Sequence, residues 1–191
     1  MMNRSFTSIR DAGDLRGKRV LLRASLNEPL KNGELVSDFR LHKSLETISF
    51  LKEKGARIII IGHIGRDKSN TLKPIYEYFK KNVDLDFLDE VVGTEVQQKI
   101  NHMRDGDVLL LQNVRRYEGE VQNDITFTKE LASLGDIFVN DAFADSHRAH
   151  ASIVGIPTLL SSFSGILFDH EYENLLEARE PEHPALFILG G

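Results

Sequence analysis

Arg57-Ile-Ile-Ile-Ile61, running directly into Gly62-His-Ile-Gly-Arg66, decides how this 191-residue chain folds. A β-branched run with no polar alternation belongs in a strand buried on both faces, as parallel strands are. Lys18-Arg-Val-Leu-Leu-Arg-Ala24, Asp107-Val-Leu-Leu-Leu111 and Asp136-Ile-Phe-Val139 repeat the pattern, and Val83–Leu88 reads as a shorter strand. Helical spacing lies between them. Asp38 is placed to cap a helix carrying Phe39, Leu41, Leu45, Ile48 and Leu51, with Gly55 as its stop. Further helices are predicted at Lys73–Lys81, at Thr94–Met103 with Thr94 as cap, and at Phe127–Leu134. Pro29 forbids further ladder pairing after the first strand, and Lys31-Asn-Gly33 is a hairpin turn. Strands alternating with helices imply βαβ units. The predicted fold is α/β: a three-layer, doubly wound, mostly parallel sheet with helices on both faces, a Rossmann-like lobe.

The later chain reads differently. Gly155-Ile-Pro157 breaks it, Gly165–Arg179 is a long amphipathic helix with Ile166, Leu167, Phe168, Tyr172, Leu175 and Leu176 as its apolar set, and Pro181 and Pro184 flank a linker. Ala185-Leu-Phe-Ile-Leu-Gly-Gly191 is a buried-type strand with no helix after it, as if it opened a second lobe. Residues 1–164 are therefore predicted to form one lobe, 165–184 a helix and linker, and 185–191 the first strand of a further lobe. An apolar strand without a sheet of its own is a swapping liability, so residues 185–189 are expected to dock irregularly or on another molecule.

Composition narrows the chemistry. There is no cysteine, which removes disulfides and thiolate sites together. A net charge of −5 argues against nucleic acid, whose phosphates need a basic face. No apolar run reaches spanning length, so neither membrane nor secretory signal is expected and a cytoplasmic location is.

The cations sit where they matter. In open α/β sheets ligands bind outside the carboxyl ends of the strands. Ser25 and Asn27 follow one predicted strand, His63, Ile64, Gly65 and Arg66 the next, Arg115 a third and Arg148 a fourth; Arg40 joins them from the start of the first helix. Four arginines and a histidine on one rim repel one another unless an anion is supplied. The arginine fork matches carboxylate and phosphate oxygens in pairs, so the implied ligand is a small polyanion bearing both. Singly, each of these residues reads as well as a surface charge or, for His63, as a hydrogen-bonded structural histidine. Asp141 reads as a helix cap as readily as a base. A metal site from Asp141, Asp145, His147 and His150 is disfavoured by Arg148 among them, and no metal is predicted.

Arg23-Ala-Ser-Leu-Asn-Glu-Pro29, Asp38-Phe-Arg40, Gly62-His-Ile-Gly-Arg66, Leu109-Leu-Leu-Gln-Asn-Val-Arg115 and Asn140-Asp-Ala-Phe followed by His147-Arg-Ala-His-Ala-Ser152 carry a resemblance to the N-terminal domain of phosphoglycerate kinase. It runs from about Lys18 to the end. The resemblance implies a cytoplasmic, usually monomeric glycolytic transferase, a kinase with a carboxyl group as acceptor. It would move a phosphoryl group between 1,3-bisphosphoglycerate and ADP, with Mg-ATP or Mg-ADP on a C-terminal lobe. It implies that Asn27, Arg40, His63, Arg66, Arg115 and Arg148, with Ser25, Ile64 and Gly65, hold 3-phosphoglycerate, and that Arg40 acts catalytically on the phosphoryl group. By itself the chain should bind and not turn over. Three departures stand out: Ser25 replaces an aspartate, Gln112 and Arg116 replace a glutamate and an aromatic, and Ala144-Asp145 replaces a Gly-Thr pair. The alternative reading is a non-catalytic module that binds small anions or serves as a scaffold.

Overall fold

The computed structural model describes residues 6–188. Its frame is a six-stranded sheet built from β1 (Arg19–Arg23), β4 (Arg57–Ile61), β5 (Asp86–Phe87), β6 (Val108–Leu110), β7 (Ile137–Asn140) and β8 (Ser162–Ser164). The order is β5-β6-β4-β1-β7-β8, and every pairing is parallel. β2 (Leu30–Lys31) and β3 (Glu34–Leu35) form a separate hairpin. Asn32 and Gly33 turn it with φ of 54° and 82°, the doubly positive geometry that Asn-Gly supplies.

Because strand side chains alternate, each central strand feeds two cores. Val20, Leu22, Ile58, Ile60, Val108 and Leu110 pack with α1 (Phe39–Glu53), α2 (Lys73–Phe79) and the first turn of α6 (Ile166–Arg179). Leu21, Ile59, Ile61, Leu109 and Phe138 pack on the other face with α3 (Thr94–Asn101) and α5 (Ile125–Ala132). The three-layer, doubly wound arrangement read from the sequence is the one observed. The connections run to one side of β1 through β4 and β6, then to the other side through β7 and β8. The topological switch point therefore falls between β1 and β7, and the carboxyl ends there open a crevice.

Several local readings need correction. Asp38 holds the N-cap position of α1, but its side chain makes no capping hydrogen bond. Glu28 does that work from the preceding loop, its Oε1 accepting from Arg40 N at 2.6 Å. Phe39 is 66% exposed rather than core, while Leu41 in the same turn is fully buried. Gly93, not Thr94, is the N-cap of α3. The strand expected at Val83–Leu88 shrinks to Asp86–Phe87, the two residues paired with β6, with Leu88 N donating to Leu110 O just beyond them.

Two elements went unread in the sequence: β8 and a short helix α4 (Glu118–Gln122). In α6 only Ile166, Leu167 and Asp169 are buried, and Leu175 is exposed, so its expected apolar stripe is confined to one end. Residues 181–188 form neither helix nor strand, with Leu186 and Ile188 exposed; the remainder of the strand expected at 185–191 lies outside the described residues.

The cap exchange is testable. Glu28→Ala should lower unfolding free energy by about 1 kcal/mol in urea, the usual loss for an N-terminal cap acceptor, and Asp38→Ala by clearly less. Equal losses would return the cap to Asp38.

Candidate anion-binding site

Arg23 ends β1 and is 1% exposed, although it sits in a strand of leucines. Every part of its guanidinium is engaged. Nε donates to Ser152 Oγ at 3.0 Å, Nη1 to Ala24 O at 2.7 Å, and Nη2 to His63 Nδ1 at 2.8 Å. An arginine cannot accept, so His63 Nδ1 is the acceptor and the imidazole proton sits on Nε2. That Nε2 is buried and has no partner.

His63 was counted among the positive groups of the rim; the structure corrects this. Burial first, then the positive fields of Arg23, Arg115 and Arg148, depress its pKa to about 2, so it is a neutral donor. Its 3.4 Å approach to Asp145 Oδ2 is accordingly no ion pair.

The other predicted residues fall into two linked groups. Asn27, Arg40, Ile64 and Gly65 line a cleft of about 420 Å³ together with Glu28 and Asn70. Asn27 Oδ1 accepts from Gly65 N at 2.8 Å, and Arg40 Nη1 donates to Asn27 O at 3.0 Å. Gly65 joins this cleft to the arginine cluster, because its carbonyl accepts from Arg115 Nη1 at 2.6 Å. Arg115 is buried, and burial followed by the repulsion of Arg148 lowers its pKa. Arg148 Nε lies 3.5 Å from Asp145 Oδ1, close enough for attraction, yet it is buried without a hydrogen bond. Ser25 is buried just past β1. Arg66 is exposed, and its side chain meets no partner among the described residues.

Reading the sequence missed three members of this site. Arg23 stood there only as the basic flank of a strand, although a charge inside an apolar run is itself a signal of a paired buried group. Glu120, fully buried, accepts from Ser152 N at 2.9 Å and Ser152 Oγ at 2.6 Å, with His150 Nδ1 at 3.7 Å from it. Asp145, read above as a candidate metal ligand and as part of a departure from the family's pattern, turns inward to Arg23 at 3.3 Å.

The metal grouping does not converge. Asp141 faces α6, Asp145 faces Arg23, His150 faces Glu120, and His147 is exposed. No set of three His, Asp or Glu side chains among the described residues is grouped to hold a metal. A larger cleft of about 780 Å³ lies between the β2–β3 hairpin and α2. Its lysines, Lys73 and Lys81, are outnumbered there by Glu34, Asp38 and Glu77, so an anion has less reason to settle in it.

Asp141 is indeed a cap, but for a distant helix. It follows β7, and its Oδ1 accepts from Phe168 N at 3.2 Å in the first turn of α6. Gly165 is required beside it, because any Cβ there would run into the carboxyl group. Burial raises the Asp141 pKa to about 7.

The chain that forms this cationic crevice has relatives. The family model described as phosphoglycerate kinase matches residues 9–191. The chain belongs to the phosphoglycerate kinase family. The phosphoglycerate kinase of Dictyoglomus turgidum is 42% identical over 200 residues, covering 100% of this chain and 50% of the relative. That of Coprothermobacter proteolyticus is 45% identical over 195 residues, covering 96% and 49%. The chain thus spans about half the length of the curated relatives it matches. Among solved structures, the phosphoglycerate kinase of Pyrococcus horikoshii superposes with a TM-score of 0.85 at 31% identity, over 92% of this chain and 46% of that one. The Coxiella burnetii enzyme does so at 0.81 and 33% identity, over 94% and 46%. Among the described residues, no helix is long and apolar enough to cross a membrane.

The two perturbed groups set opposing pH slopes. His63 takes up a proton near 6.5 when unfolded but only near 2 in the fold, so its contribution to stability falls as pH drops below 6.5. His150, lowered chiefly by burial, acts in the same direction. Asp141 loses its proton near 3.8 when unfolded and near 7 in the fold, so its contribution falls as pH rises between those values. Each slope is at most about 1.4 kcal/mol per pH unit. Between pH 3.8 and 6.5, His63→Asn should make stability decline more steeply with rising pH than in wild type, and Asp141→Asn should do the reverse, as read by urea denaturation. Parallel curves for all three proteins would refute both assignments.

Proposed function

We propose that the crevice binds 3-phosphoglycerate, or 1,3-bisphosphoglycerate in the reverse direction, as the substrate half of a phosphoglycerate kinase. The observation that carries this reading is a pair of buried, unpartnered donors, His63 Nε2 and Arg148 Nε, in a cluster of arginines at the switch point of the sheet. Buried donors without acceptors cost free energy unless something supplies them, and a polyanion supplies acceptors and charge together.

In this reading the arginine cluster and the neutral His63 take one anionic end of the ligand. Asn27, Arg40 and the Ile64-Gly65 backbone take the rest of it across the adjoining cleft. Arg40 is exposed at the mouth of that cleft, where its guanidinium can steady a phosphoryl group in transfer. Such transfer needs positioning and charge stabilisation more than covalent chemistry. The nucleotide, as Mg-ADP or Mg-ATP, is assigned to a second lobe opening at residues 185–191. Residues 1–164 form the substrate lobe and 165–184 the helix and linker between the two. Closure of the lobes would exclude water from the transfer, the whole serving glycolysis in the cytoplasm. The 191-residue chain by itself binds substrate and does not turn it over.

Calorimetric titration of the chain with 3-phosphoglycerate should give one site. Arg148→Ala and Arg40→Ala should each weaken it by about tenfold or more, the loss of a charge-assisted contact. Heats indifferent to both substitutions would remove these arginines from the site and favour a generic anion-binding module.

A further inference from the structure

The residue that sets the anion affinity of this crevice is itself an anion. Asp145 closes a single 3-10 turn, Phe143–Asp145, on the loop after β7, and that turn directs its carboxylate inward, leaving the residue 8% exposed. Oδ2 lies 3.3 Å from Arg23 Nη2 and 3.4 Å from His63 Nδ1, and Oδ1 lies 3.5 Å from Arg148 Nε.

These contacts are loose. Charge-assisted N–H···O bonds ordinarily close to about 2.8 Å. His63 Nδ1 has no proton to give, since it accepts from Arg23. Arg148 Nε makes no hydrogen bond at all. Each nitrogen of Arg23 already has another acceptor, in Ser152, Ala24 or His63, and its hydrogen bond to Asp145 Oδ2 is the longest of the four, at 3.3 Å. One long hydrogen bond from Arg23, together with the positive charges of Arg115 and Arg148 nearby, holds the carboxylate. A ligand oxygen drawn toward Arg148 Nε would enter the same positive field.

Glu120 is a useful contrast. It too is buried in this cluster, but both its oxygens are taken by Ser152, so it acts as a brace. Three arginines against the two acids Asp145 and Glu120 leave the cluster at 3 − 2 = +1, and removing Asp145 alone would raise it to +2.

We propose that Asp145 is an internal competitor: its carboxylate occupies the anion position between Arg23 and Arg148, and an incoming anionic group must displace it to engage Arg148. This rests on the substrate-site reading above and deepens it. Asp145 becomes a determinant of affinity and of charge selectivity, discriminating most against ligands whose inner end is doubly charged.

The experiment compares wild type, Asp145→Asn and Asp145→Ser in the whole 191-residue chain, with Arg148→Ala as control. Binding of 3-phosphoglycerate and of inorganic phosphate is measured by calorimetry at two salt concentrations, and thermal melts in the absence of ligand establish that each variant is folded. The asparagine keeps the shape and removes the charge. It should bind both ligands about tenfold more tightly, a modest share of the repulsion between like charges a few ångströms apart, and show a steeper loss with salt. Arg148→Ala should erase that gain.

If Asp145→Asn does not fold, Asp145→Ser carries the same expectation. Unchanged or weaker binding in the charge-removed variant, with wild type binding normally, overturns the proposal and makes Asp145 a positioning residue for Arg148. Failure of every variant to bind either ligand overturns the substrate-site reading beneath it. Binding by the charge-removed variants alone supports both.

Discussion

A guanidinium that reaches almost no water must have its donors answered within the protein, and Arg23 imposes that demand at the carboxyl end of the central strand. Its acceptors are four: the backbone just beyond β1, His63 after β4, Asp145 on the loop after β7 and Ser152 beyond that loop. A buried charge left unpaired costs several kcal/mol, so these segments are held in one arrangement or the fold loses stability. The loops of the crevice are thus fixed from beneath by one side chain. The imidazole proton of His63 is fixed with them, because Arg23 leaves it no other nitrogen.

That constraint makes sense of the electrostatics above it. Burial and the charge of Arg148 lower the tolerance of Arg115 for charge, and Asp145 and Glu120 partly restore it. The two acids do different things. Glu120 is bonded to Ser152 and, through it, to Arg23, whereas Asp145 makes one long hydrogen bond to Arg23 and lies 3.5 Å from Arg148. Positive charge concentrated at a switch point is a liability for stability and an asset for binding. This chain carries both in the same few residues.

What the sequence made legible follows from local rules. The isoleucines of β4 have only one environment that suits them, and Asn32-Gly33 permits few turns, so the parallel frame and the hairpin were readable. The convergence of Asn27, Arg40 and Gly65 followed from strand direction alone. Long-range chemistry was not readable. Glu28 caps α1 across twelve residues of loop, displacing Asp38 from a role that its position suggested. β8 is a Ser-Phe-Ser segment whose strand character comes from backbone pairing with β7, with no apolar run to announce it. The neutrality of His63 depends on its neighbours in space and not in sequence. Arg23 looked like an edge charge because the partners that bury it lie 40 and more residues away.

The attachment of α6 has a mechanical corollary. Its first turn is clamped, with Asp141 on Phe168 N, Thr47 Oγ1 on Ile166 N, and Asp169 receiving both Ser8 and Ser164. Beyond that turn Tyr172 still meets Phe6 edge-on, and the rest of the helix flanks an open groove beside Phe39 and Lys43. It is a cantilever about 20 Å long, rooted in the residue that follows β7 and leads into the arginine-bearing loop. A tilt of about five degrees at the root would carry the far end about 2 Å, by the same rise per residue. Small adjustments of that loop are thereby geared into much larger excursions where the chain leaves the sheet.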